Sequence, residues 1–461
     1  MTEPVTPIGY NTHRQSDIRL MLERMNLPDI DALFAAIPAA LRLQQPLNLP
    51  LPLSEWELAK HVRTLAASNA TTETHLSFLG GGAYEHHVPA VIDAIVNRGE
   101  FLTAYTPYQP EMSQGLLQAL FEFQTLLARL LGKPRVNCSV YDGATAAAES
   151  AWMMVSISGK ERIAVAESFW PEWLEVIRTY MRGRDVEVVV IRAREEDGRL
   201  DQDGLNQALA DGKTAGILVQ TPNRFGVIED IASLSAVAHD HGVLSCISWH
   251  PLLTGILKSP GEMGADIVCC EAQSLGIPLS AGGPYLGVIA TSQAYEKYLP
   301  GRIVGRVVNQ QGRELYALVK EEREQHIARE KATSHICSNQ ALQAIRATIF
   351  LALLGERGFA RLAALNTEKA HYLARQLTDL PGVELTFRSP FFNEFMLTLP
   401  CTTMPLLEKL RSRCIFAGIA VDYPGLDRGR HLLIAVTEVK SRAELDAMVQ
   451  AFEVVLMETV V

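Results

Sequence analysis

Residues 264–287, GADIVCCEAQSLGIPLSAGGPYLG, decide the fold of this 461-residue chain. Their first part, 265–270, predicts a short buried strand, and 285–290 predicts a second strand after a turn rich in glycine and proline. In one large class of α/β enzymes, a polar loop between two such strands carries the lysine that binds the cofactor. Here no lysine occurs between Lys258 and Lys297. The stretch therefore either is no cofactor site or belongs to one half of a divided enzyme. The rest of the sequence is needed to distinguish these two cases.

Upstream of this stretch, strand-like runs alternate with helix-like runs. The strand-like runs are nearly continuous in apolar residues, as expected of strands covered by helices on both faces. The alternation predicts an α/β fold with a mostly parallel sheet covered by helices. Ligands of such sheets bind beyond the carboxyl ends of the strands. In this chain those ends are 167–168, 220–223, 248–250 and 271–273.

The chain length predicts more than one domain. Residues 1–75 contain short helical segments, one of them at 29–38, and a proline-rich stretch, but no core of their own. We therefore expect an N-terminal helical arm there. Residues 76–330 form the expected large α/β domain. Residues 331–461 form a smaller α+β C-terminal domain, which includes a predicted strand at 383–388.

Composition and charge exclude several function classes. The formal charge of −10 and the isoelectric point near 5.7 argue against a nucleic-acid surface or an anionic membrane surface. No apolar run approaches the roughly 20 residues of a membrane span, and the first residues show neither a signal core nor a transit-peptide pattern. We therefore expect a soluble, cytoplasmic protein without a membrane or nucleic-acid partner.

Motifs for several kinds of site are missing from the sequence. The seven cysteines are odd in number and scattered, which argues against a disulfide framework, and no paired-cysteine metal pattern occurs. The patterns GxGxxG, GxxxxGK[ST], HExxH and GxSxG do not occur either. The sequence thus predicts no metal site and gives no support for a nucleotide or hydrolase site.

The stretch 105–111, YTPYQPE, resists an ordinary explanation. Two prolines stiffen a loop that carries the hydrogen-bonding side chains of Tyr105, Tyr108 and Gln109. A rigid loop that presents aromatic and polar tips is a common way to form one side of a site. The alternative is a proline-rich connection whose tyrosines merely cover apolar surface.

A second candidate is the turn DGATAAAES at 142–150, where a short strand breaks and runs into an alanine-rich helix. Gly143, Ala144 and Thr145 offer free amides and a hydroxyl at a helix N-terminus, which suits a phosphate. The alternative, which spacing alone favours, is ordinary helix capping by Asp142 or Thr145.

The segment 319–340, VKEEREQHIAREKATSHICSNQ, is heavily charged. Charge runs are most often solvated helix faces, and a hinge between the two larger domains is a second interpretation. The charge pattern by itself assigns this segment no chemical role.

Several longer motifs resemble one family. YTPYQPEMSQG, DGATAAAES, CEAQSLGIPLSAGGPYLG, PGRIVGR and REQHIAREKATSHICSNQ are similar to the α subunit of the split P-protein of the glycine cleavage system, the decarboxylating glycine dehydrogenase. An N-terminal pattern and the tail HLLIAVTEVKS extend the resemblance over nearly the whole chain. It implies the aspartate-aminotransferase-like fold (fold type I) of pyridoxal-phosphate enzymes, a large α/β domain followed by a smaller one.

The resemblance also implies an oxidoreductase subunit that works only with a partner. That partner, glycine dehydrogenase subunit 2, carries the Schiff-base lysine and binds pyridoxal 5'-phosphate, whereas the α subunit keeps the fold and holds no covalent cofactor. Together they decarboxylate glycine and pass the aminomethyl group to the lipoyl arm of the H-protein. A heterotetramer with two copies of each subunit is implied in the same way.

The residues give an independent reason to expect no catalysis by this chain alone. A pyridoxal-phosphate enzyme needs an amine that links the cofactor and an acid that keeps the pyridine nitrogen protonated. The acid usually lies near the end of the strand before the lysine strand, where this chain has Ser248, Trp249 and His250. Because amine and acid are both missing, we expect no catalytic residue in this chain and only a vestigial phosphate cradle at 143–145.

Enzymes of this fold place their active sites at a dimer interface, so the resemblance implies that this chain supplies one side of its partner's pocket. The residues expected there are Gly80, Gly81, Gly82, Tyr84, Tyr105, Thr106, Pro107, Tyr108 and Gln109. Arg323, His326, Arg329 and Lys331 are expected at the interface or at a docking surface for an acidic face of the H-protein.

Two other functions stay open at this point. One is an independent pyridoxal-phosphate enzyme that uses a distant lysine such as Lys258. The other is a stand-alone scaffold or regulatory pseudoenzyme that binds a partner without contributing to its pocket. Cofactor binding by the isolated chain separates the first from the leading hypothesis, and pocket variants of the complex separate the second.

Overall fold

The structure is a computed structural model that describes residues 13–43, 45, 47–105, 107 and 109–460. The chain forms two compact units, Met1–Ala70 and Thr71–Val461. The expected boundary between residues 330 and 331 falls inside the second unit and stays a prediction. Among the residues with described coordinates, no helix combines the length and the apolarity needed to cross a membrane.

The first unit has little regular structure. Its elements are α1 (Gln15–Arg24), α2 (Glu55–Ala66) and two 3-10 turns at Asp31–Phe34 and Ala39–Leu41. None of its described residues is buried. The predicted helix at 29–38 is wrong, because only the turn at Asp31–Phe34 forms there. A ten-residue segment bounded by prolines and without buried contacts is too short to hold a full helix.

Strands and helices alternate between β3 and β7 of the second unit, as the sequence predicts. The strands are β1 (Leu76–Ser77), β2 (Arg135–Val136), β3 (Arg162–Ala166), β4 (Glu187–Ile191), β5 (Thr214–Thr221), β6 (Leu244–Trp249), β7 (Ile267–Glu271), β8 (Gly287–Thr291), β9 (Ile303–Val308), β10 (Glu314–Val319), β11 (Glu384–Leu385), β12 (Glu394–Thr398), β13 (Ile415–Phe416), β14 (Ile419–Val421) and β15 (His431–Ala435). The helices are α3 (Ala90–Val96), α4 (Gly99–Leu102), α5 (Gln114–Leu131), α6 (Gly143–Ser158), α7 (Pro171–Arg182), α8 (Gln202–Leu209), α9 (Ile231–Asp240), α10 (Gln325–Ala328), α11 (Ala341–Thr378), α12 (Thr403–Arg411) and α13 (Arg442–Val460).

A seven-stranded sheet with the order β2-β8-β7-β6-β5-β3-β4 forms the centre of the second unit. Its strands from β7 to β4 are parallel, whereas β8 runs antiparallel to both β7 and β2. Every residue of β5 and β6 is buried, because helices cover both faces. The predicted α/β fold with a mostly parallel sheet is confirmed. The parallel order brings the carboxyl ends of β5, β6 and β7 side by side at one edge.

A smaller four-stranded antiparallel sheet has the order β11-β12-β15-β14 and its own hydrophobic core. Helix α11 contributes to both cores, with Phe350 in the core of the large sheet and Leu377 in that of the small one. Gly355 (φ 58°, ψ −176°) kinks α11 between them. The predicted strand at 383–388 is shorter in the structure, since only Glu384–Leu385 pairs with β12.

Candidate functional site

The strand before the loop that would carry a cofactor lysine ends in a carboxylate. Glu271 is the last residue of β7. Its Oε1 accepts hydrogen bonds from the backbone amides of Gln273 (3.0 Å) and Leu286 (3.0 Å). Its Oε2 accepts one from the amide of Gly143 (2.8 Å). Burial outweighs these three bonds and raises the pKa of Glu271 to about 7.

The predicted phosphate cradle lies against this carboxylate. Gly143 is the first residue of α6, and Asp142 caps the helix by accepting from the amide of Thr145 (2.8 Å). A Cβ on Gly143 would lie 2.2 Å from the Trp173 ring and 2.7 Å from Glu271 Cβ. Only glycine fits this position. The capping by Asp142 that spacing favoured is present, and the Gly143 amide is used by Glu271.

Among the described residues, those at the carboxyl ends of the strands line a small cavity of about 30 Å³. It is lined by Tyr84, Trp170, Trp173, Trp249, His250 and Glu271, among others. Ligand pockets are typically about 300–1,000 Å³, whereas a single water needs about 10–15 Å³. This cavity has room for water molecules but not for a pyridine ring with a phosphate.

His250 stands where the acid for a pyridine nitrogen is expected, directly after β6. Burial, with a smaller contribution from the charge of His86, lowers the pKa of His250 to about 3, so the ring is neutral at neutral pH. Its ring packs against Tyr84 and Phe392, with centroids 5.4 and 5.3 Å away. Within the described part of the chain, His250 Nδ1 has no hydrogen-bond partner.

His86 and Glu438 form a buried hydrogen-bonded pair. His86 Nδ1 lies 2.8 Å from Glu438 Oε2, and the backbone amide of His87 donates to Glu438 Oε1 at 2.8 Å. Although burial alone raises it, the pKa of Glu438 is lowered to about 2 by His86 and by these backbone bonds. The pair ties the segment after Tyr84 to the end of the small sheet.

The glycine run at 80–82 and Tyr84 also face the interior of the chain. Tyr84 is 5% exposed, and its hydroxyl donates to Glu394 Oε2 at 2.6 Å. The amide of Gly81 donates to Glu394 Oε1 at 2.8 Å, and a Cβ on Gly80 would lie 2.0 Å from that oxygen. Burial raises the pKa of Glu394 to about 7. Tyr84 and Gly82 line the chain's own small cavity.

The Tyr105 loop, in contrast, is at the surface. Tyr105 is 82% exposed, and its hydroxyl lies 3.0 Å from Ser338 Oγ. Gln109 is exposed and Pro107 is buried. Thr106 and Tyr108 lie outside the described residues. The bond to Ser338 joins this loop to the charged segment that the sequence singled out separately.

Arg323 and the other basic residues of that segment have different surroundings. The Arg323 side chain is buried and donates from Nη1 to the carbonyl of Leu299 and from Nη2 to the carbonyl of Gly301 (2.6 Å). It therefore holds a turn inside the chain, and its position does not favour docking of another protein. His326, Arg329 and Lys331 are exposed.

Comparison with known proteins gives the family. The family model described as glycine cleavage system P-protein matches residues 9–452. The chain belongs to this family.

Similar P-proteins match over nearly the whole chain. A protein named probable glycine dehydrogenase (decarboxylating) subunit 1 from Desulfitobacterium hafniense is 45% identical over 431 residues, which are 93% of this chain and 96% of that protein. A crystal structure of glycine decarboxylase (P-protein) in inhibitor-bound form is 38% identical, with a TM-score of 0.88 over 97% of this chain and 99% of that one. Glutamate decarboxylase of Lactobacillus brevis, 15% identical with a TM-score of 0.68 over 91% of this chain and 96% of that one, shares the fold alone.

These matches bear out the predicted fold and family. The P-protein chain has the fold type I architecture of pyridoxal-phosphate enzymes and is an enzyme subunit of the glycine cleavage system. Its own cofactor position does not fit the cofactor, since the loop after β7 has no lysine, a neutral ring stands in place of an acid and about 30 Å³ of space is left.

Sequence reasoning assigned no role to Glu271, Glu394 or Trp173. A signal for Glu271 was present, because a charged residue directly after an apolar strand faces the ligand edge of a parallel sheet. Glu394 was visible as a lone carboxylate inside the apolar run at 391–399. Trp173 gave no signal, because it belongs to an ordinary amphipathic helix.

Proposed function

We propose that this chain is the subunit of glycine decarboxylase that lacks the Schiff-base lysine and that it completes the pocket of a lysine-bearing partner. The partner is glycine dehydrogenase subunit 2, which binds pyridoxal phosphate. The observation that carries this proposal is the filled cofactor position around Glu271, which leaves about 30 Å³. The complete enzyme then decarboxylates glycine and passes the aminomethyl group to the lipoyl arm of the H-protein.

The surface around Tyr105 is the part of the chain best suited to line the partner's pocket. It presents an exposed phenol and the Gln109 amide on a loop that a buried Pro107 anchors. The hydrogen bond to Ser338 joins it to the exposed residues of the charged segment. Exposed hydrogen-bonding groups on a fixed loop are what a pocket requires from a neighbouring chain.

The basic residues that stay exposed, His326, Arg329 and Lys331, are proposed at the same interface or at the docking surface of the H-protein. Gly80, Gly81, Gly82 and Tyr84 contribute less directly, because their contacts in this chain are internal. A two-plus-two heterotetramer in the cytoplasm completes the proposal.

The two alternatives have weaker support. Lys258 is exposed at the surface, whereas the cofactor position is filled by aromatic side chains, so an inward-folded Lys258 has no space. A scaffold without a pocket role remains a distinct function, and the pocket variants below decide between it and the proposal.

Glycine decarboxylation by the co-expressed subunits tests the proposal. We expect Tyr105→Phe to reduce activity about tenfold or more, the cost of one lost hydrogen bond to a charged group. Ser338→Ala is the matched control, because it removes the internal partner of the same phenol. Unchanged activity of Tyr105→Phe in an intact complex, or an equal loss in Ser338→Ala, would contradict a pocket role.

A further inference from the structure

Three backbone amides from separate segments converge on one side chain in the second unit. Gly143 begins α6, Gln273 lies in the loop after β7, and Leu286 directly precedes β8. All three donate to the Glu271 carboxylate at 2.8–3.0 Å, one to Oε2 and two to Oε1. Both oxygens of the carboxylate are thus bound by main-chain donors.

This arrangement is how proteins bind a free oxyanion. The first amide of a helix carries partial positive charge, and α6 is 16 residues long. Converging amides from loops complete such a concavity. Here the anion is supplied by the chain itself, because Glu271 comes from the strand that would carry the cofactor lysine.

We propose that Glu271 is an internal ligand that replaces the cofactor phosphate in this cradle. The chain therefore does not bind pyridoxal phosphate at this position, either covalently or non-covalently. The cradle at 143–145 is therefore occupied rather than vacant. This inference concerns the chain's own residues, and it holds whether or not the Tyr105 loop lines the partner's pocket.

Packing supports the same assignment. The Trp173 ring closes the space over Gly143, where even one added carbon would lie 2.2 Å away. The remaining cavity of about 30 Å³ is too small for a phosphate next to the carboxylate. The ionised form of Glu271 would also repel a phosphate in contact with it. The cradle thus accepts either Glu271 or a phosphate, but not both.

Removing the carboxylate should therefore recreate an anion site. Glu271→Ala deletes four heavy atoms and leaves the amides of Gly143, Gln273 and Leu286 without an acceptor. A phosphate ion has five heavy atoms and acceptors for all three. Inorganic phosphate should bind the variant and restore part of the stability that the substitution removes, because a ligand that binds only the folded state stabilises it.

The test is thermal unfolding of the full-length chain in inorganic phosphate, against potassium chloride of equal ionic strength. We expect phosphate to raise the unfolding midpoint of Glu271→Ala until the effect saturates. The shift of the wild-type midpoint should be less than about a third as large. Glu394→Ala is the matched control, since Glu394 is also buried but accepts from a single backbone amide. It should lose stability without a phosphate-specific recovery.

A wild-type chain that phosphate stabilises as much as the variant would overturn the proposal, and so would a folded Glu271→Ala chain that does not respond. If Glu271→Ala does not fold in chloride, its refolding yield in phosphate gives the same answer, since recovery supports the proposal and no recovery contradicts it. Loss of activity in Tyr105 variants bears on the proposed function alone, so the two failures are distinguishable.

Discussion

The backbone amide of Gly143 donates a 2.8 Å hydrogen bond to the Glu271 carboxylate, although the two residues are 128 positions apart in sequence. This bond joins the start of α6 to the end of β7. In a cofactor-binding chain, the start of α6 would hold the cofactor phosphate, and the loop after β7 would carry the lysine that links the cofactor. The cofactor position of the chain is therefore built from its usual elements and closed by its own side chains.

The close packing at Gly143 predicts a steric effect on stability. Gly143→Ala places a Cβ 2.2 Å from the Trp173 ring, and we expect it to lower the free energy of unfolding by about 1–3 kcal/mol, as for an overpacked core. Gly115 in α5 is the matched control, because a Cβ there meets nothing within 4 Å. Gly115→Ala should be stabilising by about 0.5–1 kcal/mol. Denaturant unfolding of both variants measures the difference, and equal effects would refute the packing argument.

The Tyr84–Glu394 bond predicts a second stability effect. Tyr84→Phe removes the donor of a 2.6 Å bond and leaves a buried carboxyl oxygen with one partner fewer. We expect a loss of about 1–3 kcal/mol in the free energy of unfolding. Tyr105→Phe, at an exposed tyrosine, should change it by less than about 0.5 kcal/mol. A Tyr84→Phe chain as stable as the wild type would show that this bond contributes nothing net.

The buried carboxyl group of Glu149 predicts that the stability of the chain depends on pH. Burial raises its pKa from 4.5 to about 7, against the opposing hydrogen bond from Ser334 and the charge of Arg184. Since the folded chain then binds a proton more tightly than the unfolded chain, the contribution of Glu149 to stability falls as pH rises from about 4.5 to 7.

Glu149→Gln keeps an acceptor for Ser334 and removes the titration. We expect the variant to gain stability relative to the wild type as pH rises through this window, by at most about 1.4 kcal/mol per pH unit. Unfolding midpoints of both chains at several pH values measure this. A constant difference between them across the window would mean that the Glu149 pKa is not raised.

The His86–Glu438 pair predicts a pH dependence of stability with the opposite sign to that of Glu149. The pKa of Glu438 is lowered from 4.5 to about 2, so its contribution is present above about pH 4.5 and is lost as pH falls towards 2. Glu438→Gln should cost about 3 kcal/mol at neutral pH, the contribution of a pKa lowered from 4.5 to about 2. The cost should shrink at pH 3. A penalty that does not change with pH would argue against a lowered pKa of Glu438.

Much of the fold follows from local sequence patterns. The continuous apolar runs predicted the parallel strands, because burial on both faces requires apolar residues at every position. Helix α5 also agrees with its local sequence, since its apolar periodicity ends at Gly132, which adopts the left-handed conformation (φ 69°). The missing lysine was a plain sequence fact.

The contacts between residues of the site could not be predicted from local sequence patterns. Tyr84 and Glu394 are 310 positions apart, and no local pattern indicates that the topology brings them together. Gly81 and Gly82 have φ of 88° and 100°, which favours glycine at both positions. Their neighbours, Glu394 and Trp170, are set by packing between distant elements.

The central claim is that this chain supports glycine decarboxylation without holding the cofactor itself. Borohydride reduction of the assembled enzyme, followed by mapping of the cofactor-labelled lysine, tests it most directly. We predict that the label is found on the partner subunit alone and that the isolated chain with added pyridoxal phosphate yields none. A stoichiometric label on any lysine of this chain would contradict the account.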